Sequence, residues 1–484
     1  MRYSEHDIQK ILENARLAGE DDEEMRETII AAALSKSNAL NNLSNYLKPT
    51  AILDPKIFRQ ANDSVTGLIN FCTTENNLEA GIYLCEPHGL IAGQSGCGKS
   101  HLLLHMLSKT MSNARVWFFS RSKEGRRLLA FSNEILVNSF DGKIEFNPLL
   151  PAKNVSLSAW INTFCDVFIQ SMGLYDGTKS FLIEILHEIF QKNKVPTIKD
   201  LYFYIKSKKF PAFSRFSRYQ ESALNRIAPI LFSDLGTSFC SIISFDAFMD
   251  KHLVFELQSL TAEQKVLTSN LLLDYLFFYK LNNDVPHFHF VGVDDCHWLF
   301  DIQFERRVDR GVPVISDLLS TIRKSKVNVF AVSQVPSQLS TSVHSNSFTK
   351  ILMNLTNTRD ISCMVQNMGI TDTEQIKRCQ KLDRRETVVK FASRYQEAFL
   401  ARVPELSFKE FSDEEVQRNN ERVIRVITLK AEDIGDNHVR ITPGDERHKS
   451  KDDVTDEEAS FLWDIYNRPY VSITERYETI NLGG

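Results

Sequence analysis

Residues 93–100 read Gly93-Gln94-Ser95-Gly96-Cys97-Gly98-Lys99-Ser100, the G-x-x-x-x-G-K-S spacing of a phosphate-binding loop. Glycines at that spacing let backbone N–H groups turn inward around a phosphate chain, at the positive end of a helix. Lys99 would reach the β- and γ-phosphates, and the Ser100 hydroxyl would hold Mg²⁺. The flanks agree. An apolar run ending Gly89-Leu90-Ile91-Ala92 leads in, and His101-Leu102-Leu103-Leu104-His105-Met106-Leu107 continues as a helix. Gly93 through His101 are therefore expected to cradle a nucleoside triphosphate, ATP, with its Mg²⁺. Cys97 fills a variable position of the loop rather than serving as a nucleophile.

A second acidic centre lies downstream. The apolar segment His287-Phe288-His289-Phe290-Val291-Gly292-Val293 ends in Asp294-Asp295. A strand that delivers carboxylates to the C-terminal edge of an α/β sheet is a Walker B arrangement, and ligands bind at that edge. Asp294 would take Mg²⁺ through water, because this ion keeps much of its hydration and uses few protein carboxylates. Asp295 would orient or deprotonate the attacking water. A further strand ends in Ala331-Val332-Ser333-Gln334. Gln334 would sit between the two Walker strands, within reach of the γ-phosphate or the water.

These residues need a sheet with aligned ends. Candidate strands are the one before the loop, Arg115–Ser120, Glu134–Val137, Leu253–Leu257, 287–293 and Val327–Val332, with later pairings at Thr387–Phe391 and Ala398–Ala401. Helical stretches alternate with them, and the strands are apolar almost throughout, which predicts a mostly parallel sheet covered on both faces. Thr261 and Gln264 have the spacing of a capping box at the head of an apolar helix reaching Leu281. Between the halves of the sheet, Trp160, Phe164, Val167 and Phe168 fall at helical spacing, as do Leu182, Ile185, Leu186, Ile189 and Phe190. The expected fold is α/β: a RecA-like P-loop NTPase with a mostly parallel sheet and a helical insertion. Its parts are a helical N-terminal extension (1–80), the core in two pieces (81–154 and 233–405), the insertion (155–232), a polar linker (406–453) and a helical C-terminal segment (454–484).

Bulk properties narrow the setting. A chain of 484 residues holds roughly two to four domains. Its 43% hydrophobic and 25% charged content is that of a soluble globular protein. The net charge of −5 gives no global positive field, so any DNA contact must be local. Eight scattered cysteines without a C-x-x-C pair argue against zinc and against a disulfide framework. The N-terminal residues Met1-Arg2-Tyr3-Ser4-Glu5 are not expected to act as a signal peptide, and the longest apolar run, Leu271 to Tyr279, is too short to span a membrane. A reducing, cytoplasmic setting is expected.

Together the motifs form a larger pattern. Asp294-Asp295-Cys296-His297 resembles the D-E-x-H element of the HerA/FtsK superfamily of ring ATPases. Leu318-Leu319-Ser320-Thr321-Ile322-Arg323-Lys324 through Ser333-Gln334-Val335-Pro336-Ser337 is similar to that family's R-K…(T/S)-Q-x-P-S stretch. Phe146-Asn147-Pro148-Leu149, Val254-Phe255-Glu256-Leu257 and Asn354-Leu355 ahead of Arg359-Asp360 extend the likeness over about residues 85–405. The resemblance places the chain among HerA-like ATPases related to conjugative coupling and DNA-pumping proteins. It implies a hexameric ring, ATP sites at subunit interfaces, a central channel for DNA, and an arginine reaching into the neighbour's site. Arg323, in the matching R-K element, is the first candidate for that arginine and Arg359 the second.

The chain also departs from the pattern. The family usually has Glu where Asp295 stands. Losing a methylene draws the carboxylate back by roughly 1.5 Å, and misplacement on that scale can cost about 100-fold. Relatives often place an Asp where Lys123-Glu124 follow Ser120, and no N-terminal β-barrel is evident. The segment from Thr455 reads either as the opening of a winged helix or as a helical hairpin. Lys206-Ser207-Lys208-Lys209 and Arg215-Phe216-Ser217-Arg218-Tyr219 read either as a solvated helix face or as a grip on a nucleic-acid backbone. Two functions follow. One is a DNA-translocating or remodelling motor for transfer, packaging or phage defence, with a possible nuclease or other effector partner. The other is an ATP-gated assembly or signalling protein with slow turnover.

Overall fold

Strands that are apolar along their whole length bury both faces, and such strands form the centre of one sheet in the computed structural model. The structure describes residues 23–34, 68–74, 79–241, 244–303, 325–392 and 397–433, with Leu12, Leu319 and Ile322. Its strands are β1 (Leu68–Thr74), β2 (Glu79–Tyr83), β3 (Gly89–Ala92), β4 (Ala114–Ser120), β5 (Ile135–Asn138), β6 (His252–Glu256), β7 (Phe288–Val293), β8 (Val327–Ser333), β9 (Thr349–Leu352), β10 (Glu386–Phe391) and β11 (Phe399–Arg402). Among the described residues they form an 11-stranded sheet in the order β2-β1-β11-β10-β9-β3-β8-β7-β4-β6-β5. From β9 to β5 the pairings are all parallel. From β9 to β2 they are all antiparallel.

The register aligns the chemistry. Ala92 at the end of β3 lies opposite Ser333, the last residue of β8, and Val293 at the end of β7 lies opposite Ala331. The phosphate loop, Asp294 and Gln334 therefore leave the sheet at one edge, with β8 between the strands that carry the other two.

Alternate side chains feed two apolar layers, as the period of a strand requires. Leu90, Ala92, Trp117 and Phe119 face one; Ile91, Val116 and Phe118 face the other. A helix at Glu23–Leu34 (α1) precedes the sheet, and α2 (Lys99–Thr110) fills the second layer through Leu102, Leu103, Leu104, Met106 and Leu107. The first layer is covered by α3 (Leu157–Met172), α4 (Asp176–Lys192), α5 (Ile198–Ser207), α6 (Arg215–Leu231) and α7 (Ala262–Asn282). Side chains set where these helices begin: Ser156 caps α3, Thr197 and Asp200 form a capping box on α5, and Thr261 and Gln264 form one on α7. Asn147 pins the insertion to the core by donating from Nδ2 to the Pro196 carbonyl at 3.0 Å and the Ser241 carbonyl at 2.7 Å. The helices at 155–232 thus share one apolar layer with the sheet. Beyond β9 a shorter helix, α8, runs Thr358–Asn367.

Two segments differ from the sequence reading. The stretch 1–80 was expected to be helical, yet β1 lies within it. Its polar Asn70, Thr73 and Thr74, and a register shift between Asn70 and Cys72, break the alternation that marks a strand. The stretch 406–453 was expected to be a linker, yet residues 413–433 form a helix, α9 (Asp413–Asp433). It buries Val416, Val423, Ile424 and Ile427. Asn420 sits beside β5, where its Oδ1 accepts from the Val137 amide at 3.0 Å and its Nδ2 donates to the Val137 carbonyl at 2.8 Å. Asn419 adds a bond to the Ile135 carbonyl at 2.6 Å. Polar residues on this helix serve the docking, which is why its polarity reads as a linker. The C-terminal segment 454–484 lies outside the described residues. Among the described residues, no helix is long and apolar enough to cross a membrane, and all eight cysteines are free thiols.

Candidate nucleotide-binding site

The loop after β3 is built for close approach by phosphate. Gly96 and Gly98 have φ of 79° and 101°, backbone that residues with a Cβ adopt only with strain. Gly98 is also the N-cap of α2, so the helix begins at Lys99 with its amides facing the loop. The Gly93 amide donates to the Ser333 carbonyl at 3.2 Å and the Gln94 amide to the Asn354 carbonyl at 2.7 Å, fixing the loop to β8 and to the turn after β9.

Lys99 is 6% exposed, and its Nζ donates to the Gln94 carbonyl at 2.7 Å. Burial lowers its pKa, while Cys97, Asp294 and Asp295 oppose that shift. Cys97 is buried, and burial raises its thiol pKa, so it fills the loop and offers no thiolate. His101, in the first turn of α2, borders the cavity and packs against Phe408 at 5.7 Å between ring centres.

Ser100 Oγ donates to the Asp294 carboxylate, at 3.0 Å from Oδ2 and 3.2 Å from Oδ1. Burial pushes the Asp294 carboxyl up to about 6, against the opposing pull of the Ser100 hydrogen bond. A half-buried acid beside a hydroxyl at the mouth of a phosphate loop is a donor set for one hydrated divalent cation, and the pair fits Mg²⁺. Among the described residues, no group of three or more His, Cys, Asp or Glu gathers as a separate metal site.

Asp295 stands next to it with φ of 49°, a left-handed conformation that Asp tolerates better than bulkier residues. Its carboxylate has three partners: Arg121 Nη1 at 2.6 Å, His297 Nδ1 at 3.1 Å and Gln334 Nε2 at 3.4 Å. Burial alone would raise its pKa, but His297 and Arg121 outweigh that and hold it below the usual carboxylate range. Asp295 is therefore held ionised.

A cavity of about 610 Å³ unites these groups. Its walls include Ser95 through His101, Asp294, Asp295 and Gln334, together with Arg121, Arg384, Arg385 and Glu405. The last four were not singled out from the sequence. Arg121 had a signal, since it follows the final residue of β4 at the edge where β7 delivers Asp295. Arg384, Arg385 and Glu405 had none, because only the antiparallel return of β10 and β11 brings them here. Arg323 lies outside the described residues. Arg359 is exposed at the start of α8 and is not among the residues that line this cavity.

Fold and site together define a RecA-like P-loop nucleoside triphosphatase. No family model matches the chain, and no curated protein matches it. Solved structures do. VirB4 of Thermoanaerobacter pseudethanolicus aligns with a TM-score of 0.56 at 18% identity, over 74% of this chain and 99% of that one. The unbound bacterial conjugative coupling protein TrwB aligns at 0.57 and 12% identity, over 74% and 92%. TrwB in complex with ADP and Mg²⁺ aligns at 0.55 and 13%, over 75% and 95%. At these identities the likeness is one of fold, and it is the fold that the HerA/FtsK resemblance implied.

Proposed function

We propose that this chain is a Mg²⁺-dependent ATPase that works as a ring of copies and translocates or remodels DNA. The reading is carried by the meeting of Ser100 and Asp294 at the mouth of the phosphate loop, with Asp295 and Gln334 beside them. Lys99 would neutralise the β- and γ-phosphates. Ser100 and Asp294 would hold Mg²⁺, the metal that offsets charge developing on the phosphoryl oxygens. Asp295 would orient or deprotonate water, and Gln334 would touch the γ-phosphate or that water. Arg323, or failing it Arg359, would reach into a neighbour's site. The conjugative coupling protein among the fold's neighbours, one of whose structures holds ADP and Mg²⁺, supports the nucleotide and the class of work. The test is native mass measurement with and without ATP and DNA, paired with turnover assays. A ring that forms with ATP, and turnover raised by DNA, is expected. A chain that stays monomeric in every condition, with turnover indifferent to DNA, overturns the proposal.

One observation favours a second reading, in which ATP is held to organise a complex. Asp295 is shorter than the Glu of the resemblance and is already engaged by Arg121, His297 and Gln334. On that reading Asp295→Glu raises turnover about tenfold or more, on the scale expected when a carboxylate regains 1.5 Å of reach. On the motor reading turnover is unchanged or falls. Single-turnover hydrolysis by the variant decides between them.

A further inference from the structure

The chain is acidic overall, with a net charge of −5, yet the far end of the helical insertion is the reverse. The turn between α5 and α6 and its flanks expose Lys206, Lys209, Arg215 and Arg218. Among the described residues no carboxylate pairs with any of these four, whereas Lys208 is held by Glu188 and Asp200 is committed to its capping box. Aromatic rings lie between the cations. Phe210 stacks on Phe216 with ring centres 5.6 Å apart and an interplanar angle of 18°. Phe181 meets Phe210 edge-on, and Tyr219 meets Phe216 in the same way.

Phe213 stands at the tip, 91% exposed, with φ of 63°. The Ser214 amide donates to the Pro211 carbonyl at 3.1 Å, so Phe213 is the third residue of a tight turn. Glycine or asparagine belongs at a third position with positive φ. An aromatic there works against its own backbone and leaves a large apolar surface in water, and no packing offsets either cost. The turn is nonetheless held. Gln220 Nε2 donates to the carbonyls of Ile205 and Lys208 at 2.7 and 2.9 Å, and Ser214 caps α6. The protein therefore fixes an unfavourable ring in the open, on a turn flanked by cations that no carboxylate neutralises among the described residues, Lys206 lying over the Tyr202 ring at 5.7 Å.

Taking the chain to act on DNA, as proposed above, we infer that this turn is a nucleic-acid contact separate from the nucleotide site: a base of single-stranded DNA stacks on Phe213, and Lys206, Lys209, Arg215 and Arg218 track its phosphates. Charge complementarity selects a polyanion. The exposed ring selects one with free flat faces, since every base has a π-face and duplex DNA keeps its bases stacked inside.

The experiment uses the whole chain and a fluorescent oligothymidine of about 20 nucleotides, longer than the footprint of a typical single-strand site. Phe213→Gly gives the turn the residue its backbone favours. It is expected to melt no lower than the unaltered protein and to bind the oligonucleotide about tenfold more weakly, the loss typical of one stacking platform. Replacing the four cations with serine is expected to flatten the salt dependence of binding. Basal ATP turnover without DNA should be unchanged in both. Full affinity in Phe213→Gly overturns the inference, as does a duplex that competes as well as the single strand, or a polyglutamate that displaces it equally. If the unaltered chain binds no DNA at all, the motor reading falls with it; if it binds and the variants bind equally, only the turn is misassigned.

Discussion

Lys99→Ala is expected to weaken ATP binding by about a hundredfold or more while leaving the fold in place. The magnitude follows from removing a desolvated ammonium that would face two phosphates of bound ATP, where each charge-assisted hydrogen bond contributes about 1.5–3 kcal/mol. The selectivity follows from the site. Among the described residues Lys99 Nζ bonds the Gln94 carbonyl alone, within its own loop, and Leu102, Leu103, Leu104, Met106 and Leu107, which pack α2, are untouched. Isothermal calorimetry with ATP and Mg²⁺ measures the loss, and thermal melting without nucleotide checks the fold. Unchanged affinity would mean that the loop does not hold the phosphates, and the assignment of Asp294 and Asp295 would go with it.

Arg126→Ala should cause the largest loss of stability. Arg126 follows β4 in a short 3-10 helix (Lys123–Ala130), and its side chain is 7% exposed. Its guanidinium meets Glu256, at the end of β6, through Nε–Oε1 at 2.5 Å and Nη2–Oε2 at 2.8 Å, and its Nη1 reaches Asp413 at the start of α9. The Glu256 side chain has no exposure, and its remaining partner is the Ser139 hydroxyl at 2.9 Å. Truncating Arg126 strands a carboxylate in the interior, at about 3–5 kcal/mol. In a chain of 484 residues a fall in Tm of about 3–5 °C is the corresponding measurement. A cycle with Glu256 shows whether the stranded charge is the cause. Arg126→Met with Glu256→Met should recover most of the loss, because a buried pair exchanged for apolar groups of similar volume is close to neutral. A double variant no more stable than Arg126→Ala would mean that lost packing is responsible instead.

What the sequence reveals of this molecule depends on where each residue stands relative to a strand. The phosphate loop, Asp294 and Gln334 each follow an apolar strand, and parallel strands with aligned ends must carry such residues to one edge. Chemistry and position are then legible together. Arg121 obeys the same geometry one residue past β4, but belongs to no motif, so only its contact with Asp295 singles it out. Arg384 and Arg385 arrive through an antiparallel return that no local pattern encodes. At β1 a register shift between Asn70 and Cys72 interrupts the period. In α9 the seat on β5 is made by Asn419 and Asn420, amides that composition alone assigns to solvent.

Those amides have a wider consequence. β5 is the last strand of the parallel run, and a strand in that place offers its free N–H and C=O groups to any passing chain. The Asn420 side chain presents one acceptor and one donor to Val137, as a neighbouring peptide would, and so closes that ladder with a group that cannot propagate it. Copies of this protein crowded together are thereby kept from fusing into a continuous ribbon through this border. Contact between copies is left on this side to side-chain surfaces, which can let go as well as hold.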